Sequence, residues 1–203
     1  MDTSVYHTLN NFAFDHPWVG DIAKFFAQDV VFILIGGLAL LWLLRTSRGR
    51  LLDDRSQVAI FAGALAVILG LLIVQGIGHL WDRPRPFVAL HHFHKLIPHP
   101  ADASFPSDHV TGSAALAFAL ILFGRVRLGL ATLVVALLIG VARVMVGIHW
   151  PTDILGAIGV GALAAIVVAL PRAPVARLAR WCSAIYDRAW LGLAGVLRGQ
   201  ATR

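Results

Sequence analysis

Five stretches of apolar residues, each closed by polar or charged ones, organise the chain: about Phe26 to Leu44, Val58 to Leu80, His109 to Phe123, Leu128 to Ile148 and Ile154 to Leu170. Between Ser56 and Trp81 there is no Asp, Glu, Lys or Arg. An uncharged run of that length exceeds the roughly 20 residues needed to cross a hydrocarbon core. The pattern predicts an all-α fold, a polytopic membrane helix bundle of about five transmembrane helices. The flanking segments are patterned differently. Val5, Leu9 and Phe12 recur at helical spacing, so Ser4 to Ala13 reads as an amphipathic helix in the membrane interface. Beyond the last apolar run, Arg177, Arg180, Arg188 and Arg198 fall on one face of a helix and Leu178, Trp181, Ile185 and Leu193 on another. The expected organisation is a single integral-membrane domain over 1–203, with an interfacial segment at 1–25, a transmembrane core at 26–170 and a basic tail at 171–203.

Composition agrees with a bilayer as the principal partner. The chain is 58% hydrophobic with a mean hydropathy of +0.77, too apolar for an ordinary soluble domain. A net charge of +6 would suit nucleic acid, but most arginines close apolar runs, where they orient membrane helices. Nucleic acid is therefore not expected as a partner. The connector from Arg45 to Arg55 holds four arginines against Asp53 and Asp54, the next same-side connector holds Arg125 and Arg127, and the tail holds Arg172, Arg177 and Arg180. The positive-inside rule puts these in the cytoplasm. Asp82 to Ser107, the turn His149 to Thr152 and the N-terminus then face outward. All nine histidines lie in those outer segments or at outer helix tips, so chemistry gathers on one side. The single Cys182 cannot form an internal disulfide. The opening MDTSVYHTLNNF lacks a basic region followed by an apolar one, so no cleavable signal peptide is expected. Arginine in excess of lysine and abundant alanine suggest a GC-rich bacterial genome, hence a bacterial plasma membrane with the chemistry on its outer, periplasmic side. Nothing in the pattern sets the oligomeric state.

Three short polar patches interrupt the apolar chain: Arg83-Pro84-Arg85-Pro86-Phe87, Phe105-Pro106-Ser107-Asp108-His109, and Arg143 with His149 and Asp153. In the third, Pro151 suits a first helical position and puts Asp153 in the first turn, from which its carboxylate can reach back to His149. Such a pair fixes the imidazole tautomer and stabilises the charge that develops when the other nitrogen attacks phosphorus. The alternative is a carboxylate that only complements the helix dipole. Arg143 falls inside an apolar run, where a charge costs about 2.5 to 3.5 kcal/mol on insertion scales and usually faces a polar cavity; the alternative is snorkelling to the surface. In the second patch Ser107 reads as a helix N-cap with Asp108 and His109 in the first turn. A helix start offers N–H groups to phosphate oxygens, and His109 beside it suits general acid and base work. In the first patch, alternating prolines hold Arg83 and Arg85 in an extended segment, and guanidinium forks match phosphate.

Taken together, these residues resemble the type 2 phosphatidic acid phosphatase superfamily, whose signatures are Lys-x6-Arg-Pro, Pro-Ser-Gly-His and Ser-Arg-x5-His-x3-Asp. Arg85-Pro86 matches the end of the first, Pro106-Ser107 and His109 the second, and Arg143, His149 and Asp153 the third with both spacings kept. The PRPF sequence, the run LIPHPADASFPSDHVTG and the NNF, HPW and FFAQ elements near the N-terminus look most like the undecaprenyl-diphosphate phosphatase branch. Three positions depart from the signatures: Gly78 stands where lysine is expected, with His79 beside it; Asp108 replaces glycine; and Ala142 replaces serine. The resemblance implies a membrane lipid diphosphate as substrate and a catalytic set of His149, His109 and Asp153. His149 would be the nucleophile, oriented by Asp153, with His109 as general acid and base. The phosphate would be held by Arg85, Arg143, Ser107 and Asp108, with Arg83 or His79 in place of the lysine. It implies no metal ion and no other cofactor. Phosphatidate, phosphatidylglycerophosphate or a second lipid as acceptor are alternatives within the family. A different class, a membrane metal-binding or transport protein, is suggested by His91, His92, His94 and His99 with Asp102 in the outer loop.

Overall fold

The structure, a computed structural model, describes residues 2–46 and 49–201, with 45–46, 49–50 and 192–201 described by their backbone alone. Its helices are α1 (Asp2–Asp15), α2 (Pro17–Gln28), α3 (Val30–Leu43), α4 (Asp54–Leu80), α5 (Pro86–Ala89), α6 (Asp108–Leu122), α7 (Val126–Met145), α8 (Pro151–Ala169) and α9 (Arg172–Ala201). A two-residue antiparallel ribbon, β1 (Arg45–Thr46) with β2 (Gly49–Arg50), joins α3 to α4.

Each expected apolar run is helical, as α3, α4, α6, α7 and α8, but five crossings are not established. Helices α4, α7 and α8 are long and apolar enough to cross a membrane, and the pair α2 and α3, bent by 44°, would make a fourth. The central α6 has 15 residues, short of the roughly 20 a crossing takes. Its shortness follows from its place. It is the buried axis of the bundle, with Val110 to Ala117 inaccessible or nearly so, and the buried loop residues Ser104, Pro106 and Ser107 cover its start.

Small side chains let the bundle close around α6. Ala59, Ala62 and Ala66 of α4, Ala115 and Ala119 of α6, and Ala164 and Ala165 of α8 form one continuous core with Leu116 and Leu120. At Gly161 a β-carbon would lie 2.8 Å from the Ala115 nitrogen and 2.9 Å from the Thr111 oxygen. The α6 and α8 backbones therefore approach to a distance that only glycine permits.

The N-terminal helix forms as expected, with two of its periodic apolar residues turned outward and a second face packed on the bundle. Tyr6, Asn10 and Ala13 are its buried residues, whereas Val5 and Phe12 point away from the protein at 43% and 47% exposure. Asn10 anchors it: its amide donates to the carbonyls of His94 (2.7 Å) and Met145 (2.9 Å) and accepts from the His94 N–H (2.9 Å). At the opposite end of the bundle α9 docks through Val175, Ala179 and Ser183. There Ser183 Oγ donates to Gln57 Oε1, Tyr186 to the Leu43 carbonyl and Arg180 to Asp54. Leu178, Trp181 and Ile185 face outward; Leu193 and Arg198 lie outside the residues whose side chains are described, as do Arg45, Arg48 and Arg50 of the connector.

Asp53 caps α4 by accepting the Ser56 N–H at 3.0 Å, and it pairs with Arg125. Hydrogen bonds from Ser56 and Arg125 hold its carboxyl at about 2 against an ordinary 3.8. A depressed carboxyl stabilises the fold above its ordinary value, and that contribution fades as pH falls toward 2. Asp53→Ala is expected to cost about 1 kcal/mol, the usual loss for an N-cap, read as a lower thermal midpoint in detergent. The substitution leaves the histidine-bearing end of the bundle untouched.

Candidate active site

Two helix ends and one loop bring the three polar patches together. Helix α7 ends at Met145, and Gly147, with φ +88°, reverses the chain: its N–H donates to the Val144 carbonyl and the Ile148 N–H to the Arg143 carbonyl. Such a left-handed residue closes a helix at little cost only if it is glycine. Two residues later His149 is delivered, 1% exposed, beside Arg143 of the last turn of α7. Helix α8 then begins at Pro151, and Asp153 Oδ2 reaches back to accept the Trp150 N–H at 2.8 Å. The carboxylate thus caps the helix and meets His149 with the same oxygen.

The imidazole of His149 is held from both sides. Nδ1 lies 2.8 Å from the Ser104 carbonyl oxygen and 3.3 Å from Asp153 Oδ2. Both are acceptors, so Nδ1 carries the proton. Nε2 lies 3.1 Å from a nitrogen of Arg143 and 3.2 Å from one of Arg85; guanidinium groups only donate, so Nε2 presents its lone pair. Burial first, then the Arg143 and Arg85 charges, hold His149 well below the ordinary histidine value. The site therefore contains a neutral imidazole with one tautomer fixed and its free nitrogen between two cations.

Those cations are themselves fixed. Arg85, 4% exposed, donates to Asp102 Oδ1 (2.8 Å) and to the carbonyls of Ile148 (2.9 Å) and Ala103 (3.1 Å). Arg143 donates to the Ala27 carbonyl (3.0 Å), and its other arm lies 3.5 Å from His99 Nε2 and 3.6 Å from Asp108 Oδ1. His99 Nδ1 faces the Pro100 carbonyl at 3.1 Å, so its Nε2 also accepts. Burial is the main reason its proton affinity falls below the ordinary value.

Most of the expected residues meet here. Ser107 does start α6, but its Oγ makes no capping bond; together with Nε of Arg143 it is buried with no partner among the described residues. Asp108 accepts the His109 N–H at 2.8 Å and faces its Nδ1 at 3.0 Å, leaving His109 Nε2 as the unprotonated nitrogen of the neutral ring. His109 also packs edge-on against Phe32. A cleft of about 340 Å³ is lined by His149, Arg85, Asp102 and Asp108, with Gly78 and His79 along the α4 wall; Arg143, Ser107 and His109 stand behind its lining residues.

Arg83 does not join them. Its guanidinium turns behind His149, 2.5 Å from Asp153 Oδ1 and 2.6 Å from Asp2 Oδ2. This corrects its expected place among the phosphate-facing groups; the carboxylates of Asp153 and Asp2 capture it. The loop histidines do not act as one set either. His94 stacks on Phe14, His91 and His92 are exposed, and His99 faces Arg143. Among the described residues no three His, Cys, Asp or Glu side chains converge as a metal set, and the cations beside His99 and Asp102 oppose one there. His99, Asp102 and Asp2 are site neighbours to which no chemical role was expected beyond the metal reading. The PHPAD sequence was the available signal for the first two.

A helical bundle of membrane-spanning length, with a buried histidine between arginines at one end, defines a multi-pass membrane protein with a phosphate-handling site. The PAP2 superfamily model matches residues 59–173, more than half of the chain, and this protein belongs to that superfamily of phosphatases. It is 34% identical over 158 residues to undecaprenyl-diphosphatase BcrC of Bacillus subtilis, covering 78% of this chain and 77% of that protein. It is 30% identical over 168 residues to a Bacillus licheniformis protein named bacitracin transport permease protein BcrC, covering 83% and 79%. The crystal structure of Aquifex aeolicus LpxE superposes with a TM-score of 0.66 at 22% identity, over 82% of this chain and 93% of that one. That likeness is one of fold.

Proposed function

We propose that the protein hydrolyses undecaprenyl diphosphate to undecaprenyl phosphate and inorganic phosphate, recycling the lipid carrier of cell-wall synthesis. The observation that carries the mechanism is the His149 ring, with Nδ1–H tied to Ser104 and Asp153 and its Nε2 lone pair between Arg85 and Arg143. Nε2 attacks the terminal phosphorus, and the bond from that phosphorus to the bridging oxygen breaks. His109, protonated at Nε2, gives that proton to the departing lipid monophosphate. Water then attacks the phosphohistidine, His109 takes its proton, and the P–N bond electrons return to His149.

Arg85, Arg143, the Ser107 hydroxyl and the N–H groups at the start of α6 are the donors for the phosphoryl oxygens. The two guanidiniums stabilise charge that builds on those oxygens, the part a divalent cation plays at other phosphoryl-transfer sites. Asp153, buried and anionic, offsets the positive charge that appears on His149 after attack. The transmembrane core at 26–170 would carry the reacting groups. Its histidine end would face the periplasm of a bacterial plasma membrane and its arginine end the cytoplasm.

The reading is tested by phosphate release from purified protein given undecaprenyl diphosphate or phosphatidate, each with and without a strong chelator. Turnover of the diphosphate that exceeds that of phosphatidate about tenfold or more, a 1.4 kcal/mol preference, and is indifferent to chelation, is the expected result. Preference for phosphatidate would move the protein to another substrate within the superfamily. Inactivation by the chelator would overturn the metal-free mechanism.

A further inference from the structure

Arg83 and Asp2 form a partly buried ionic chain behind the carboxylate that faces His149. One nitrogen of Arg83 donates to Asp153 Oδ1 at 2.5 Å and to Thr152 Oγ1 at 2.7 Å; the other donates to Asp2 Oδ2 at 2.6 Å. Thr152 in turn donates its hydroxyl to Asp2 Oδ2 at 2.7 Å and its N–H to Asp2 Oδ1 at 3.1 Å. The guanidinium also lies 5.6 Å from the Trp150 ring centroid, so its apolar face is covered by the residue that separates His149 from α8.

Asp153 is fully buried, whereas Arg83 and Asp2 keep side-chain exposures of 20% and 23%. A buried carboxylate deprived of its cation is strongly disfavoured as an anion. Arg83 therefore offsets the Asp153 charge and fixes the rotation that aims Oδ2 at His149 and at the Trp150 N–H. Asp2 pins the other arm of Arg83 and ties Thr152 of the same helix turn into the network. Burial opposes the charge on Asp2, but hydrogen bonds from Thr152 and Arg83 outweigh it and hold its carboxyl below the ordinary aspartate value. Asp2 lies in α1, outside the region 59–173 that matches the family model.

We infer that Asp2 and Arg83 are positioning residues for the His149–Asp153 pair, so that the N-terminal helix completes the active site instead of only anchoring the chain at the membrane surface. The inference rests on the proposed role of His149 as nucleophile. Neither residue touches substrate; each acts through Asp153. Substitution then lowers kcat and leaves KM in place.

The test measures kcat and KM for phosphate release from a lipid diphosphate by Asp2→Asn, Arg83→Gln, the double variant, Arg83→Lys and His149→Ala, with nitrogen-15 spectra of the His149 ring. Asp2→Asn is isosteric and keeps the Thr152 acceptor, so the fold is expected to persist. A kcat loss of about tenfold for Asp2→Asn and up to about 100-fold for Arg83→Gln is expected, the range for partners that orient a working histidine. The double variant is expected to lose no more than Arg83→Gln alone, because the two form one chain. Arg83→Lys is expected to recover part of the loss, and the His149 spectrum is expected to show a weakened Nδ1–H preference in Arg83→Gln. An unchanged kcat in Asp2→Asn, additive losses, or a raised KM at constant kcat for Arg83→Gln would overturn the inference, the last by returning Arg83 to the substrate. His149→Ala separates the two levels. If that variant is active the nucleophile assignment fails; if it is inactive while Asp2→Asn and Arg83→Gln match the unaltered protein, only the positioning inference fails.

Discussion

His149→Ala is expected to reduce phosphate release to background, with expression, membrane insertion and thermal midpoint close to those of the unaltered protein. The size of the loss follows from geometry. Removing the ring removes the nitrogen lone pair held between Arg85 and Arg143, at 3.2 and 3.1 Å, so no covalent intermediate can form at that point. Loss of a nucleophile in a hydrolytic site of comparable design costs on the order of 10⁶ in kcat. Folding is expected to survive, because the ring leaves behind the Ser104 carbonyl and Asp153, and Asp153 retains its bonds from Trp150 and Arg83. Enzyme quenched in alkaline denaturant is expected to carry base-stable, acid-labile phosphate in the unaltered protein and none in the variant. Turnover at the unaltered rate by His149→Ala would end the assignment.

The second large effect is expected at Arg143. Its guanidinium is 2% exposed and makes four separate approaches: to the Ala27 carbonyl, His149, His99 and Asp108. Arg143→Gln keeps a donor but loses the charge and the fork. Removal of one preorganised donor from an oxyanion site costs about 10² to 10³ in kcat; with a full charge lost, the upper end is expected. A product-release assay with saturating lipid diphosphate reads this directly. Arg143→Lys is expected to restore little, because a single ammonium cannot span from α2 to His149. Recovery to near the unaltered rate by lysine would show that charge alone matters there, and that the shared fork does not.

Much of this site is written in the chain because two kinds of pattern survive translation into structure. Apolar runs bounded by arginine become helices whatever their neighbours do. Helix-end spacings such as His149 to Asp153 fix which side chains can meet, and Pro151 sets the turn. The face of α1 is different. Val5 and Phe12 turn outward while Tyr6 and Asn10 turn in, because in a lipid environment apolar surface is welcome on the outside and a polar amide does its bonding inside. Helical periodicity finds the helix and the apolar residues it turns outward, but carries no sign that Tyr6 and Asn10 fasten its other side to protein. Arg83 is a second case. Its RPRP context marks a cation at the outer helix end, yet its direction is decided by Asp2 and Asp153, far away in sequence and on other helices. His99 and Asp102 sit in a loop without periodicity, and only the folded chain shows that one faces Arg143 and the other Arg85. The bounds of α6 are legible: the apolar run from His109 to Phe123, with Ser107 read as its N-cap, agrees with the observed Asp108–Leu122 to within one residue.

Asn10 carries a consequence for how the molecule comes apart. One side-chain amide in α1 holds the backbone of the outer loop at His94 and the last turn of α7 at Met145. Three segments distant in sequence thus share one fastening, beside the reversal that delivers His149. They are expected to open as one cooperative unit, read as a shared rate of backbone N–H exchange with solvent deuterium. Thermal fraying that starts at the first helix therefore loosens the nucleophile's own turn at the same moment.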